Sequence, residues 1–202
     1  MDQKPFNDIY SRTGGVEKSA RWYQRTVRDY ASGINSFQEV VSSDIGKFAT
    51  ELTIGKMYLF NYDPLTKADL PYWDELPLVV ISEPLPTGFS GINLHYLSPL
   101  LRAELVERLM QPVADSKEGI TLDDRAVMRS NWQFIKNFSR FPEVRGSIKR
   151  YLNQQIRGRL FEVHSAHWKS AVFLPVQQFQ GASASKVYRD SMTKPERKRR
   201  QV

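Results

Sequence analysis

The chain of 202 residues has no cysteine. Disulfides, thiolate nucleophiles and cysteine-ligated zinc or iron centres are therefore excluded, and synthesis in a reducing cytosol is the matching expectation. Histidine is scarce, with only His95, His164 and His167. A three-histidine metal site would use all of them, and His164 and His167 have no carboxylate cluster beside them, so neither a metal nor a cofactor is expected. His95 alternates with apolar neighbours in Asn93-Leu94-His95-Tyr96, which suits a hydrogen-bonded sheet residue better than a catalytic base. Long hydrophobic runs are also missing. The longest are four to five residues, against the ~20 needed to span a bilayer. Met1-Asp2-Gln3-Lys4 leads into no apolar stretch, so neither a membrane span nor a signal peptide is expected. There is no GxxxxGK phosphate loop, no GxGxxG, no GxSxG and no HExxH, and no internal repeat. The expectation is a protein that is not an enzyme.

Acidic residues are scarce in one region only. Residues 136–200 hold fifteen Lys or Arg against four acids, a net of +11, which leaves −4 for the first 135 residues out of a total of +7. Such asymmetry points to an anionic partner for the C-terminal third, most simply nucleic acid. The competing explanation is a solvated basic face plus a tail.

The best-patterned stretch is 55–99. Met57 and Leu59 alternate with Tyr58, Phe60 and Tyr62, the period of a strand, and Asp63-Pro64 stops it. Leu78-Val79-Val80-Ile81 is a short apolar run between Pro77 and Pro84, suited to a strand buried on both faces. After a Thr87-Gly88 turn, Phe89 to Leu97 is expected as a third strand. Three strands are the minimum for an independently stable sheet. Trp73, in the proline-bounded loop between the first two, is expected to be buried over them.

Around this block the sequence predicts a loose arm over 1–16, a helix over 16–30, and a linker over 31–54 with a strand or turn near Phe37–Val41. Ser98-Pro99 is a helix start, with Ser98 as cap and Pro99 at the first helical position, and Pro112 is expected to end that helix. Further helices are predicted over 122–138 and from Pro142 to about Ile156, the latter closed by Gly158. On it Arg145, Lys149 and Arg150, at i, i+4 and i+5, would share one outward face. Arg159–Val163 reads as a strand returning to the sheet. Ser165 caps a short helix ended by Pro175, and Lys186–Met192 forms a last one. The run Lys194-Pro195-Glu196-Arg197-Lys198-Arg199-Arg200 has no apolar residue to anchor it, and disorder is expected there.

Two resemblances add to this reading. Gly55–Pro64 followed by Pro77–Ser82 resembles the opening hairpin of small-barrel ribonuclease toxins, although Leu76 stands where those proteins carry arginine. Such a toxin-like enzyme is one alternative. A broader resemblance runs through Gly-x-Met-Tyr-x-Phe-x-Tyr-Asp-Pro at 55–64, Leu-Pro-Tyr-Trp-Asp-x-x-Pro-Leu-Val at 70–79 and Gly-Phe-x-Gly-Ile-Asn-Leu-His-Tyr-Leu-x-Pro-x-x-Arg-x-x-Leu at 88–105. It continues in Ile-Lys-Arg-Tyr-Leu at 148–152 and Trp-x-x-Ala-x-Phe-Leu-Pro-Val-x-x-Phe at 168–179. These motifs resemble the DNA end protector family of T-even-like contractile-tailed bacteriophages. The resemblance implies a minor virion protein, made in the host cytoplasm, that shields the end of the linear double-stranded genome at the head–tail region. Its partners would be linear DNA ends and phage head, neck or tail proteins, with no membrane; a purely structural neck, tail or baseplate component is the other alternative.

The fold class expected is α+β: a small antiparallel sheet or SH3-like partial barrel with a basic helical C-terminal half. The expected division is an arm with helix and linker over 1–50, one domain over 51–192 and a basic tail over 193–202. The residues expected to meet DNA phosphates are Arg145, Lys149, Arg150, Arg157, Arg159, Arg189, Lys194, Arg197, Lys198, Arg199 and Arg200, since holding a DNA end needs phosphate contacts more than base readout. Oligomeric state is left open.

Overall fold

The computed structural model describes residues 37–42, 45–114, 135, 137, 141–172, 174 and 176–192. The predicted N-terminal arm, the helix over 16–30, nearly all of the helix over 122–138 and the basic tail lie outside them. The strands are β1 (Gly46–Ala49), β2 (Met57–Tyr62), β3 (Trp73–Asp74), β4 (Leu78–Leu85), β5 (Gly88–Asn93), β6 (Ile148–Leu152), β7 (Ile156–Val163) and β8 (Phe179–Gln180). The helices are α1 (Phe37–Ser42), α2 (Pro99–Ala114), α3 (Pro142–Arg145), α4 (Trp168–Ala171) and α5 (Ala184–Met192). A six-stranded sheet runs in the order β1-β7-β2-β4-β5-β6, and β3 pairs with β8 as a separate ribbon. Every pairing is antiparallel. The chain thus has the mixed helix and strand content expected, with an antiparallel sheet that is not closed into a barrel.

The alternation in β2 and β4 builds two cores, one on each face of the sheet. Met57, Leu59, Leu78, Val80 and Ile92 face a cluster completed by Leu101, Leu105 and Leu109 of α2 and by Trp168 and Val172. Tyr58, Phe60, Val79, Ile81, Phe89 and Tyr151 form the second cluster on the opposite face. Phe60 is its hub, with Phe89 at 5.7 Å and Tyr151 at 5.3 Å, both edge to face. Each such pair adds about 0.5–1.5 kcal/mol beyond area burial. Leu78–Ile81 is buried on both faces, as expected.

The sheet coils so that β6, at one edge, approaches β7 and the end of β2. β6 and β7 are joined only by the 3-10 turn Asn153–Gln155, although three strands separate them in the sheet order. The Asp63 amide donates to the Gln155 carbonyl at 2.9 Å, and the Leu152 amide donates to the Tyr62 hydroxyl at 3.3 Å. Gly158 takes up part of the bend at φ +87°, a conformation that L side chains rarely adopt.

Several expectations are corrected. Phe37–Ser42 is helical rather than strand or turn, and places Val40 in the first core. Gly46–Ala49, read as linker, is a strand paired with β7. The third strand ends at Asn93, not Leu97: the Asn93 side chain accepts from the His95 amide at 2.9 Å and starts a 3-10 turn over Leu94–Tyr96. Pro112 does not end its helix, which runs to Ala114; burial of Leu101, Leu105 and Leu109 outweighs one missing backbone bond.

The largest correction concerns Pro142–Ile156. Only Pro142–Arg145 is helical, and Ile148–Leu152 is a strand. The Ser147 hydroxyl donates to the Val144 carbonyl and closes the turn, while the Ser147 carbonyl accepts from the Asn93 amide. Ile148 then lies opposite Ile92, and Tyr151 opposite Phe89. Apolar residues at 148, 151 and 152 satisfy a helical spacing equally well, and the open edge of β5 decides between the two. The expected single helical face of Arg145, Lys149 and Arg150 does not exist. The return strand at 159–163 is present and starts earlier, at Ile156; Ser165 caps no helix but opens a 3-10 turn over Ser165–His167, the short helix after it ends at Ala171 rather than at Pro175, and α5 starts two residues earlier than predicted, at Ala184.

Candidate nucleic-acid interface

Asp63-Pro64 ends β2 and releases the chain into a long excursion that returns at Leu78. Its base is tied down: Asp63 pairs with Lys67, and with Arg157 at 3.1 Å. Lys67 first and Arg157 second hold the Asp63 carboxyl below its ordinary range. The Tyr62 amide donates to the Glu75 carbonyl at 2.9 Å, and β3 pairs with β8, so the excursion is fixed at both ends. Between it and β6 opens a cleft of about 440 Å³. Tyr62, Tyr72, Trp73 and Tyr96 line it, and Lys149 and Arg150 supply its charge. Leu65 and Leu70, at 71% and 38% exposure, stand at the same cleft.

Beneath the cleft is a buried polar network centred on Asp74. One carboxylate oxygen accepts from the Leu76 and Gln178 amides at 3.2 and 3.3 Å. The other meets Asn93 Nδ2 at 3.1 Å and His95 Nδ1 at 2.8 Å. Asn93 Nδ2 also donates to the Tyr151 hydroxyl at 2.9 Å. Desolvation lowers the His95 pKa, against the pull of Asp74, so the ring is neutral, with its Nδ1 proton donated to the carboxylate and Nε2 buried without a partner among the described residues. Burial likewise raises the Tyr96 and Tyr151 hydroxyls well above their ordinary value.

Arg102 closes the network from the helical side. Its guanidinium donates to the carbonyls of Leu97, Val172 and His95, to Gln177 Oε1 at 2.6 Å and to the Tyr188 hydroxyl at 2.8 Å. This arginine therefore staples α2 to α5 and to the chain before it; it is no surface cation. Its sequence signal is the arginine of Pro-x-x-Arg-x-x-Leu in the motif at 88–105. Asp74 is the aspartate of the Leu-Pro-Tyr-Trp-Asp-x-x-Pro-Leu-Val motif at 70–79, which marks the residue but not its buried role.

The candidate DNA-contacting residues fall into separate groups. Lys149 and Arg150 lie on the edge strand β6. The Lys149 ammonium sits 4.1 Å from the centre of the Tyr96 ring. Its side chain is half-buried, and burial alone lowers its pKa to about 8. Arg150 is exposed and donates to the Thr87 hydroxyl at 3.2 Å. Arg157 and Arg159 are exposed on β7; the first pairs with Asp63, and the second lies 4.3 Å over the Phe48 ring. Arg145 and Arg189 are exposed on α3 and α5, which pack together where Gly146 meets the Ser191 backbone. Lys194, Arg197, Lys198, Arg199 and Arg200 lie outside the described residues. Trp73, expected to be buried, is half-buried in the cleft wall, with its indole N–H buried and unpartnered among the described residues. No described helix is long and apolar enough to cross a membrane.

The described residues thus present an aromatic cleft with cations at its edge, above a polar interior occupied with holding segments together. The chain belongs to the family described as Phage T4 terminal DNA protecting protein, whose family model matches residues 13–191. The motif resemblance to phage DNA end protectors is thereby established across the domain. No curated protein and no solved structure matches the chain.

Proposed function

We propose that this chain is a virion protein that binds the end of the linear double-stranded phage genome at the head–tail region and shields it from exonuclease. The single observation that carries this is the family match over 13–191, with the description that the family bears. The excess of +11 over residues 136–200 supports it, because phosphate neutralisation supplies most of sequence-independent affinity. The action is steric and electrostatic, without catalysis, cofactor or metal.

The contacting set is Arg145, Lys149, Arg150, Arg159 and Arg189 on the domain, with Arg157 shared with Asp63, and the basic tail Lys194 to Arg200 as an additional strip. The order β7-β2-β4-β5-β6, with a 3-10 turn between β6 and β7, supports an SH3-like open barrel with residues 94–147 as an insertion between β5 and β6. Synthesis in the host cytoplasm and neighbours among the head, neck or tail proteins complete the reading.

The test is digestion of a blunt linear duplex by a processive exonuclease with and without the full chain. Digestion should be delayed in proportion to end occupancy, with sealed circles competing poorly for the protein. Unchanged digestion at protein concentrations that saturate the DNA would overturn the proposal.

A further inference from the structure

Phosphates alone cannot identify an end, since every position of a duplex carries them. What an end offers in addition is a base pair that frays at low cost and, where phosphorylated, a terminal monoester with about one more half to full negative charge than an internal diester. A protein that selects ends therefore benefits from a pocket for one unstacked nucleotide.

The cleft between the 63–77 excursion and β6 has that chemistry. Its volume of about 440 Å³ suits a single small ligand rather than a duplex groove. The half-buried Tyr72 ring stands in its wall, backed at 6.0 Å by the buried Tyr96 ring, to which it is inclined by 41°. Aromatic faces accept any base, so such a site tolerates every terminal sequence. The Lys149 ammonium is held half-buried against Tyr96, with no carboxylate pairing to it among the described residues. A partly desolvated cation of this kind is costly unless an anion joins it. Asp74 is the acid in the lining, and its oxygens are already met by the donors from Leu76, Gln178, Asn93 and His95, so it holds the floor without claiming Lys149.

We infer that this cleft takes the terminal nucleotide of one DNA strand, its base against Tyr72 and its terminal phosphate on Lys149 and Arg150. The inference rests on the end-protecting reading and deepens it by naming the pocket that distinguishes an end from the interior.

The experiment measures dissociation constants of the full chain for one duplex sequence in four forms: 5′-phosphorylated blunt ends, 5′-hydroxyl blunt ends, 3′-phosphorylated blunt ends, and ends sealed by hairpin loops. The wild-type chain should favour open over sealed ends, and one phosphorylated form over the hydroxyl form; which phosphate is favoured identifies the strand end in the cleft. Tyr72→Ala should reduce the open-to-sealed preference about tenfold, the scale of one lost base stack. Lys149→Met should remove the phosphate preference. Affinity for the sealed duplex should stay within twofold of wild type in Tyr72→Ala, while Lys149→Met is read by the ratio of phosphorylated to hydroxyl ends alone, and either variant that folds by circular dichroism decides the matter. Wild-type ratios retained in a folded variant overturn the cleft assignment while leaving end protection standing. A wild-type chain that binds open and sealed duplexes alike overturns end recognition itself, and the cleft with it.

Discussion

Asp74 shows how one side chain can organise a fold without belonging to its chemistry. Its carboxylate joins β3, the Leu76 turn, the end of β5 and the Gln178 segment, positions from 74 to 178 in the chain. His95 is the titrating partner in this network. The fold holds it neutral because burial outweighs the attraction of Asp74, and Arg102 also opposes its charging. A base whose pKa is lowered by folding binds its proton more readily when unfolded. Stability is therefore full above the ordinary histidine pKa and is lost as pH falls through it, at up to ~1.4 kcal/mol per pH unit. Asp63, whose pKa is also lowered, loses its contribution only further down, in the carboxylate range. His95→Asn keeps a donor near the Nδ1 position but does not titrate. Thermal melts between pH 7 and pH 5 should fall steeply for wild type and less steeply for His95→Asn. Equal slopes would place the acid sensitivity elsewhere.

Among the elements, β6 is decisive. It is the sheet edge that forms one side of the cleft, and its pairing with β5 depends on close backbone approach. A Cβ at Gly88 would collide with the Tyr151 carbonyl, a backbone atom that cannot swing aside. Gly88→Ala should therefore loosen β6 before the centre of the sheet. Hydrogen exchange should show lost protection at Phe89 and Tyr151, whose amides face each other across β5 and β6, while Leu59 and Val80 stay protected, since β2 and β4 bury both faces. Uniform loss across all strands would mean that the sheet opens as one unit. The inner aromatic cluster gives the complementary case. Phe60 is fully buried among Tyr62, Phe89 and Tyr151, so Phe60→Ala should cost about 3–5 kcal/mol in a denaturant titration. A loss below ~1 kcal/mol would mean that the cluster collapses around the gap.

For the whole molecule the governing feature is the separation of charge along the chain, which should appear as salt-dependent DNA binding. The logarithm of the association constant should fall linearly with the logarithm of salt concentration, by about 0.9 per phosphate neutralised. Arg150→Gln and Arg159→Gln should each reduce that slope by about 1. Arg157→Gln should reduce it less, because Asp63 already shares the Arg157 guanidinium. Binding indifferent to salt, or equal effects of all three substitutions, would contradict this assignment of contacts.

The alternation Met57 to Tyr62 and the apolar run Leu78 to Ile81 were enough to place β2 and β4, because side chains buried on both faces leave a pattern that no other element needs. The family motifs and the basic third were legible in the same local way, and so were the Ser98-Pro99 helix start and the return strand ending at Val163. Residues 148–152 were not, since their apolar spacing fits a helix or a strand; only the free edge of β5 makes them a strand. The shared helical face of Arg145, Lys149 and Arg150 disappeared with that choice, and Lys149 came to rest on Tyr96 instead. The cleft was equally invisible, because Tyr72, Tyr96 and Lys149 come from three separate stretches and meet only when the sheet coils. Local pattern determines what a segment can become; a contact between distant segments decides what it is, because its energy exists only after the chain has closed on itself.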